Sequence, residues 1–166
     1  MKSRNEKRLE EREVKKIFKP ILESVKNLHG NNISHRDIKL ENIMIDINLK
    51  PYLIDFGFSI YNKNASKLNL FCGTPSYMSP EIASKKEYYG PPSDIWSLGI
   101  MLYAMISGYM PFKGTNEADL YKKIIKGNIN YPIFMSQAAR ILISKMLSPD
   151  PDKRPKIEEV INKKDS

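Results

Sequence analysis

The stretch from His35 to Gly57 constrains this chain more than any other. It opens with His35-Arg36-Asp37-Ile38-Lys39-Leu40-Glu41-Asn42 and closes with Asp55-Phe56-Gly57. Between these polar ends lie two short apolar runs of strand character, Ile43 to Ile45 and Tyr52 to Ile54, joined by a turn near Asp46 to Pro51. Two carboxylates, one lysine and one asparagine are thereby set beside apolar strands. That is a place where a phosphate, a metal and a proton acceptor can be held together.

Around this stretch the pattern is mainly helical. Val14, Ile17, Phe18, Ile21, Leu22, Val25 and Leu28 recur at spacings of three and four, which predicts a helix from about Glu10 to Leu28. Pro20 lies inside it and should kink it or remove a hydrogen bond, and Gly30-Asn31-Asn32 should end it. The long, weakly periodic segment from Phe58 to Pro80 reads as functional rather than as padding, and Ile82 to Ser84 as one helical turn. Asp94 to Ser107 is apolar nearly all round, the mark of an enclosed helix, with Ser93 as its predicted cap and Pro91-Pro92 barring an earlier start. Amphipathic helices are predicted for Glu117 to Lys126, Ser136 to Leu147 and Pro155 to Lys163, the last with proline at its first position.

Composition excludes several classes. At 166 residues, 41% hydrophobic and 28% charged, the chain is one globular domain, 1–166, with a real core, not a disordered segment. A net charge of +8 raises nucleic acid or anionic lipid as partners, but the lysines are scattered over helix faces and both termini instead of forming one block with aromatics. No nucleic-acid partner is expected. The single cysteine, Cys72, excludes an internal disulfide framework, and no apolar segment follows Met1, so a cytoplasmic or nuclear location is expected. Ile95 to Phe112 carries no charge and approaches the ~18 residues that suggest a membrane span. It contains Ser97, Gly99, Ser107, Gly108 and Pro111 and begins beside Asp94, so no membrane span is expected.

The chemistry of each residue is modest alone. The Asp37 carboxylate can accept the proton of a substrate hydroxyl. Lys39, two residues along an extended loop, projects on the same side and can neutralise a transferring phosphoryl group. Asn42 and Asp55 offer the hard oxygens that Mg²⁺ prefers beside phosphate and water. Gly57 lets the chain turn sharply after Asp55.

Together, His-Arg-Asp, four residues, Asn, and then Asp-Phe-Gly after two short strands resemble the signature of the eukaryotic protein kinases. The resemblance runs from about Arg8 to Pro155. Gly73-Thr74-Pro75-Ser76-Tyr77-Met78-Ser79-Pro80-Glu81 is similar to that family's docking loop and Ala-Pro-Glu motif, with Ser79 for Ala. Ser93-Asp94-Ile95-Trp96-Ser97-Leu98-Gly99 is similar to the start of its buried central helix, and Asp152-Lys153-Arg154-Pro155 to the turn before its last helix. The resemblance implies the C-terminal lobe of a kinase: mainly α, with short strands around a catalytic loop.

It also implies roles. Asp37 and Lys39 would be catalytic, Asn42 and Asp55 would hold Mg²⁺, and Met44 would lie beneath the adenine of ATP. His35 and Phe56 would stack, Arg36 and Gly57 would shape the loop, Asp94 would grip its backbone, and Glu81 and Arg154 would form a buried ion pair. Lys39 with Thr74 resembles serine/threonine kinases, Thr74 bridging Asp37 and Lys39. Glu41 would attract a basic residue on a protein substrate. Asn128-Ile129-Asn130-Tyr131-Pro132 with Met135-Ser136 most resembles the calcium/calmodulin and AMP-activated group, its microtubule-affinity-regulating branch in particular.

Two departures stand out. The family's activation-loop phosphosite, two positions before Cys72, is Leu70 here, so Arg36 is expected to lack its usual partner, with Leu70 and Phe71 holding the loop by packing. No Gly-rich loop and no lysine in a Val-Ala-Ile-Lys context occur in these 166 residues, so the chain is expected to be a kinase fragment without the N-terminal lobe. Three readings follow: a serine/threonine kinase seen through its C-terminal lobe, a catalytically inactive kinase-like binding module, or a basic protein for nucleic acid or anionic membrane.

Overall fold

The computed structural model describes residues 8–162, so the predicted helix end at Lys163 and the outer bounds of 1–166 lie outside the described residues. A long helix, α1 (Glu11–Gly30), leads into two short antiparallel strand pairs. β1 (Ile33–Ser34) pairs with β4 (Ile60–Tyr61), and β2 (Ile43–Ile45) with β3 (Pro51–Leu53). Five helices follow: α2 (Pro80–Ala83), α3 (Gly90–Ser107), α4 (Glu117–Lys126), α5 (Gln137–Met146) and α6 (Ile157–Ile161). The fold is mainly α, as its periodicity predicts.

The core is built on α3. Trp96, Leu98, Ile100 and Met101 are fully buried, and Ile124 of α4 with Ile143 and Met146 of α5 close over them. Each such side chain contributes about 1.5–3 kcal/mol by leaving water. Gly99 makes the contact with α5 close: a β-carbon there would stand 2.8 Å from Leu147 Cδ2 and 3.0 Å from Met146 Cβ. On the other side, α1 buries Val14, Phe18, Ile21, Leu22 and Val25, the stripe its sequence predicts. No helix among the described residues is long and apolar enough to cross a membrane.

Several predicted ends move. α1 runs through Pro20 unbroken and takes in Gly30; Asn32, with φ of 58°, makes the left-handed turn expected of the glycine. α3 starts at Gly90, not after the prolines. Pro91 and Pro92 fall in its first turn, where an amide hydrogen has no helical partner and its loss costs nothing. Ser93 is therefore inside the helix, its hydroxyl 3.3 Å from that of Ser79. α6 begins at Ile157, because the chain first makes a 3₁₀ turn at Pro151–Lys153 and Pro155 stays outside. The helix starts of α4 and α5 are capped by Asn116 and Ser136, which accept from Asp119 N–H (2.9 Å) and Ala139 N–H (3.1 Å).

Candidate active site

The loop after β1 is fastened at its root to the central helix. Asp94, 1% exposed in the first turns of α3, accepts the N–H of His35 at Oδ2 and the N–H of Arg36 at Oδ1, each at 3.0 Å. His29, at the end of α1, places Nε2 2.9 Å from the same Oδ2. Those bonds hold Arg36 in a left-handed backbone conformation, φ of 66°, which a bulky residue adopts only under constraint. The buried His35 ring accepts Asp37 N–H at Nδ1 (3.2 Å), which leaves its proton on Nε2 to donate to Ile54 O (3.0 Å). The His35 and Phe56 rings meet in a T-shaped contact instead of the expected stack, ring centres 5.0 Å apart. One imidazole thus ties the loop before β2 to the one after β3.

Asp37 is the hub of the polar cluster. Its Oδ1 accepts the Thr74 hydroxyl at 2.9 Å, and that hydroxyl accepts Lys39 Nζ–H, also at 2.9 Å. Lys39 Nζ stands 3.7 Å from Asp37 Oδ2. Asn42, buried in a 3₁₀ turn (Leu40–Asn42), donates through Nδ2 to Asp37 O (2.8 Å) and Oδ2 (3.3 Å). A carboxylate offers about four acceptor positions, so one more hydroxyl donor can still be received. Tyr77 holds the next residue in place, its hydroxyl accepting Leu40 N–H at 3.3 Å.

Asp55 comes to the same place through the backbone: Ile54 N–H donates to Asn42 O at 2.9 Å, and Asp55 follows directly. Its φ is 60°, and its Oδ1 accepts Gly57 N–H at 3.1 Å, which closes a tight turn. The donor set of the amide oxygen of Asn42 and the carboxylate of Asp55 fits Mg²⁺, which takes few protein oxygens and keeps phosphate and water for the rest. Met44 is opposite Tyr52 in the β2–β3 register and is 57% exposed. Glu41 is exposed at the loop's outer edge. A cleft of about 670 Å³ lies between α1 and β3 and is lined by Leu28, Tyr52, Leu53 and Phe56 but by none of Asp37, Lys39, Asn42 and Asp55.

Farther out, Arg154 grips Glu81 with both arms of its guanidinium, at 2.7 and 2.8 Å, with the arginine side chain wholly buried. Arg36 departs from expectation. In place of the usual partner it finds two others: Nε donates to Phe58 O at 2.6 Å and Nη1 to the Tyr88 hydroxyl at 3.3 Å. Nor does packing alone hold the loop, since Leu70 is 52% exposed and Phe71, 39% exposed, meets Tyr121 in a T-shaped contact and the Lys85 ammonium. His29, Tyr77 and Tyr88 are the residues the sequence reading missed. His29 offers one sequence signal, a histidine in the last turn of a helix, where a partner or the helix dipole is common.

Comparison with known proteins agrees with this geometry. The protein kinase domain family matches residues 1–164. The chain is 42% identical over 93% of its length to a probable serine/threonine-protein kinase MARK-A of Dictyostelium discoideum, of which it covers 14%. It is 42% identical to serine/threonine-protein kinase SIK2 of Gallus gallus and 43% identical to SIK1 of Rattus norvegicus, over 92% of its length in both cases. It spans about a fifth or less of the curated relatives it matches.

Proposed function

This chain belongs to the protein kinase family, and we propose that it carries the catalytic floor of a serine/threonine kinase, transferring the γ-phosphate of ATP to hydroxyls of protein substrates. One observation carries the reading: the Asp37 carboxylate is held by Thr74, Asn42 and Lys39 with an acceptor position left over. A substrate hydroxyl bound there gives its proton to Asp37 as its oxygen bonds to the γ-phosphorus, and ADP leaves. Lys39 offsets charge on the moving phosphoryl group, and the fixed donors around it need no reorganisation. Mg²⁺, when held by Asn42 and Asp55, neutralises charge on the phosphate oxygens. Met44 offers its exposed thioether to the adenine, and Glu41 its carboxylate to a basic residue of the substrate. The names of its relatives, serine/threonine-protein kinases, support serine and threonine hydroxyls as the acceptors.

The test is phosphate transfer from ATP to a basic serine peptide by the purified protein. Asp37→Asn should lower kcat by about 10²–10⁴-fold and Asp55→Asn should abolish the Mg²⁺ dependence. Equal transfer by wild type and Asp37→Asn would refute the proposal. The second reading, a catalytically inactive binding module, draws on the apolar surface around β2 and β3, where Met44, Ile47, Leu49 and Phe56 are at least half exposed. Peptide binding with no Mg²⁺-dependent ATP binding would favour it.

A further inference from the structure

We propose that Tyr88 is a positioning residue for this site, a tether that fastens the segment 68–74 to the catalytic loop with no phosphate group on that segment. The proposal rests on the kinase reading and concerns how that same site is kept in order.

The tether is a chain of hydrogen bonds in which every proton is accounted for. Arg36 Nη1, which can only donate, donates to the Tyr88 hydroxyl at 3.3 Å. That hydroxyl donates in turn to Leu70 O, which can only accept, at 2.9 Å. Tyr88 is 3% exposed, and its backbone is bonded both ways to Leu68, at 2.7 and 2.9 Å. The Cys72 sulfur lies 3.8 Å from the same hydroxyl. Residues 68, 70 and 72 thus all meet one tyrosine. Burial pushes the hydroxyl up to about 12, so it keeps the proton that the tether needs.

Both ends of the tether reach the reacting group. Arg36 directly precedes Asp37, and its strained backbone is held by Asp94 on one side and its side chain by Phe58 O on the other. Four residues after Leu70, Thr74 donates to Asp37 itself. Between them Gly73 passes so near the Arg36 carbonyl that a β-carbon would stand 3.2 Å from it, with a left-handed φ of 113°. Releasing Leu70 therefore loosens Thr74 from one side and Arg36 from the other.

No phosphate is required by this arrangement, because the link is made by unmodified side chains. The stretch that meets Tyr88 has no side chain to carry one either: Leu68, Asn69, Leu70, Phe71 and Cys72 have no hydroxyl. The nearest hydroxyls along the chain are Ser66, bonded to Asn62 Oδ1 at 3.1 Å, and Thr74, engaged at Asp37.

The experiment compares Tyr88→Phe with wild type in the full-length protein, before and after treatment with a protein phosphatase. Amide hydrogen exchange over residues 68–74 is followed alongside kcat and KM. Tyr88→Phe keeps the ring in its place and removes only the hydroxyl. Exchange in the segment should rise about tenfold, and kcat for a basic peptide should fall by about the same factor, with KM for ATP unchanged. Phosphatase should leave wild-type kcat unchanged. Arg36→Lys, which cannot span both Phe58 O and Tyr88, should raise exchange in the same segment and serves if the tyrosine variant does not fold. Wild-type exchange in both variants overturns the tether. Loss of most wild-type activity on phosphatase treatment overturns its independence of phosphate. If wild type transfers no phosphate at all, the kinase reading fails, and the exchange measurement still decides for or against the tether.

Discussion

Removing the Arg154 side chain should do far more damage than its single ion pair with Glu81 suggests. The guanidinium is wholly buried and fills two roles at once. It pairs with both oxygens of Glu81, which is 9% exposed, and it donates to the carbonyls of Ser148 (2.9 Å), Pro92 (3.0 Å) and Pro149 (3.4 Å). It also lies 5.1 Å from the centre of the Trp96 ring. Arg154→Ala leaves a carboxylate without its counter-charge in a buried site, at a cost of about 3–5 kcal/mol. A domain of this size loses roughly 2–4 °C of Tm per kcal/mol, so Tm should fall by about 6–20 °C. Lys39→Ala is the matched comparison. Lys39 retains 22% exposure and contacts Thr74 and Asp37 at the edge of the site, so its loss costs about 1 kcal/mol or less. Scanning calorimetry of the two variants side by side checks the argument. Equal melting temperatures would refute it. The double variant Arg154→Met, Glu81→Leu should regain most of the lost stability, because no charge is then left alone.

Two further outcomes follow from the packing. Gly99→Ala gains about 1 kcal/mol of helix propensity but drives a methyl group into Met146 and Leu147, an overpacking cost of roughly 1–3 kcal/mol; Tm should fall by a few degrees, and a raised Tm would show that α5 moves aside freely. Burial also raises Tyr88 to about 12, and raises Tyr103, whose hydroxyl donates to Asn130 O at 2.6 Å. The folded state therefore favours the neutral phenols. Their contribution is fully present below the unfolded tyrosine value of about 10 and is lost as pH rises from there toward 12, at about 1.4 kcal/mol per pH unit for each such tyrosine. Urea midpoints at pH 8, 10 and 11 should show the decline, shallower in Tyr103→Phe, and an unchanged midpoint would contradict it.

What the sequence made legible was what is local or strongly periodic. The buried stripe of α1 from Val14 to Val25 and the ends of α4 follow from spacing and caps that act over one turn. The polar cluster at Asp37, Lys39, Asn42 and Asp55 was legible because it sits within one short stretch, and Thr74 and Asp94 entered through family resemblance. The pair β1–β4 was not, since two residues per strand carry no alternation to detect. The start of α3 was misplaced because Pro91 and Pro92 read as a barrier, although a first turn tolerates them. That Tyr88 meets Arg36 in place of its usual partner was not legible, because it stands 52 residues away and a contact of that range leaves no mark in either local pattern.

The three bonds that Asp94 accepts have a consequence for how this molecule can come apart. The carboxylate belongs to the helix at the centre of the core, and the loop it holds carries Asp37 two residues beyond His35. The end of α1 is fastened to the same oxygen. The His35 and Arg36 amides, bonded to a buried carboxylate of the central helix, should therefore exchange more slowly than unbonded amides of the same loop. The order of the loop is thereby tied to the helix at the centre of the core and to the end of α1 through one carboxylate.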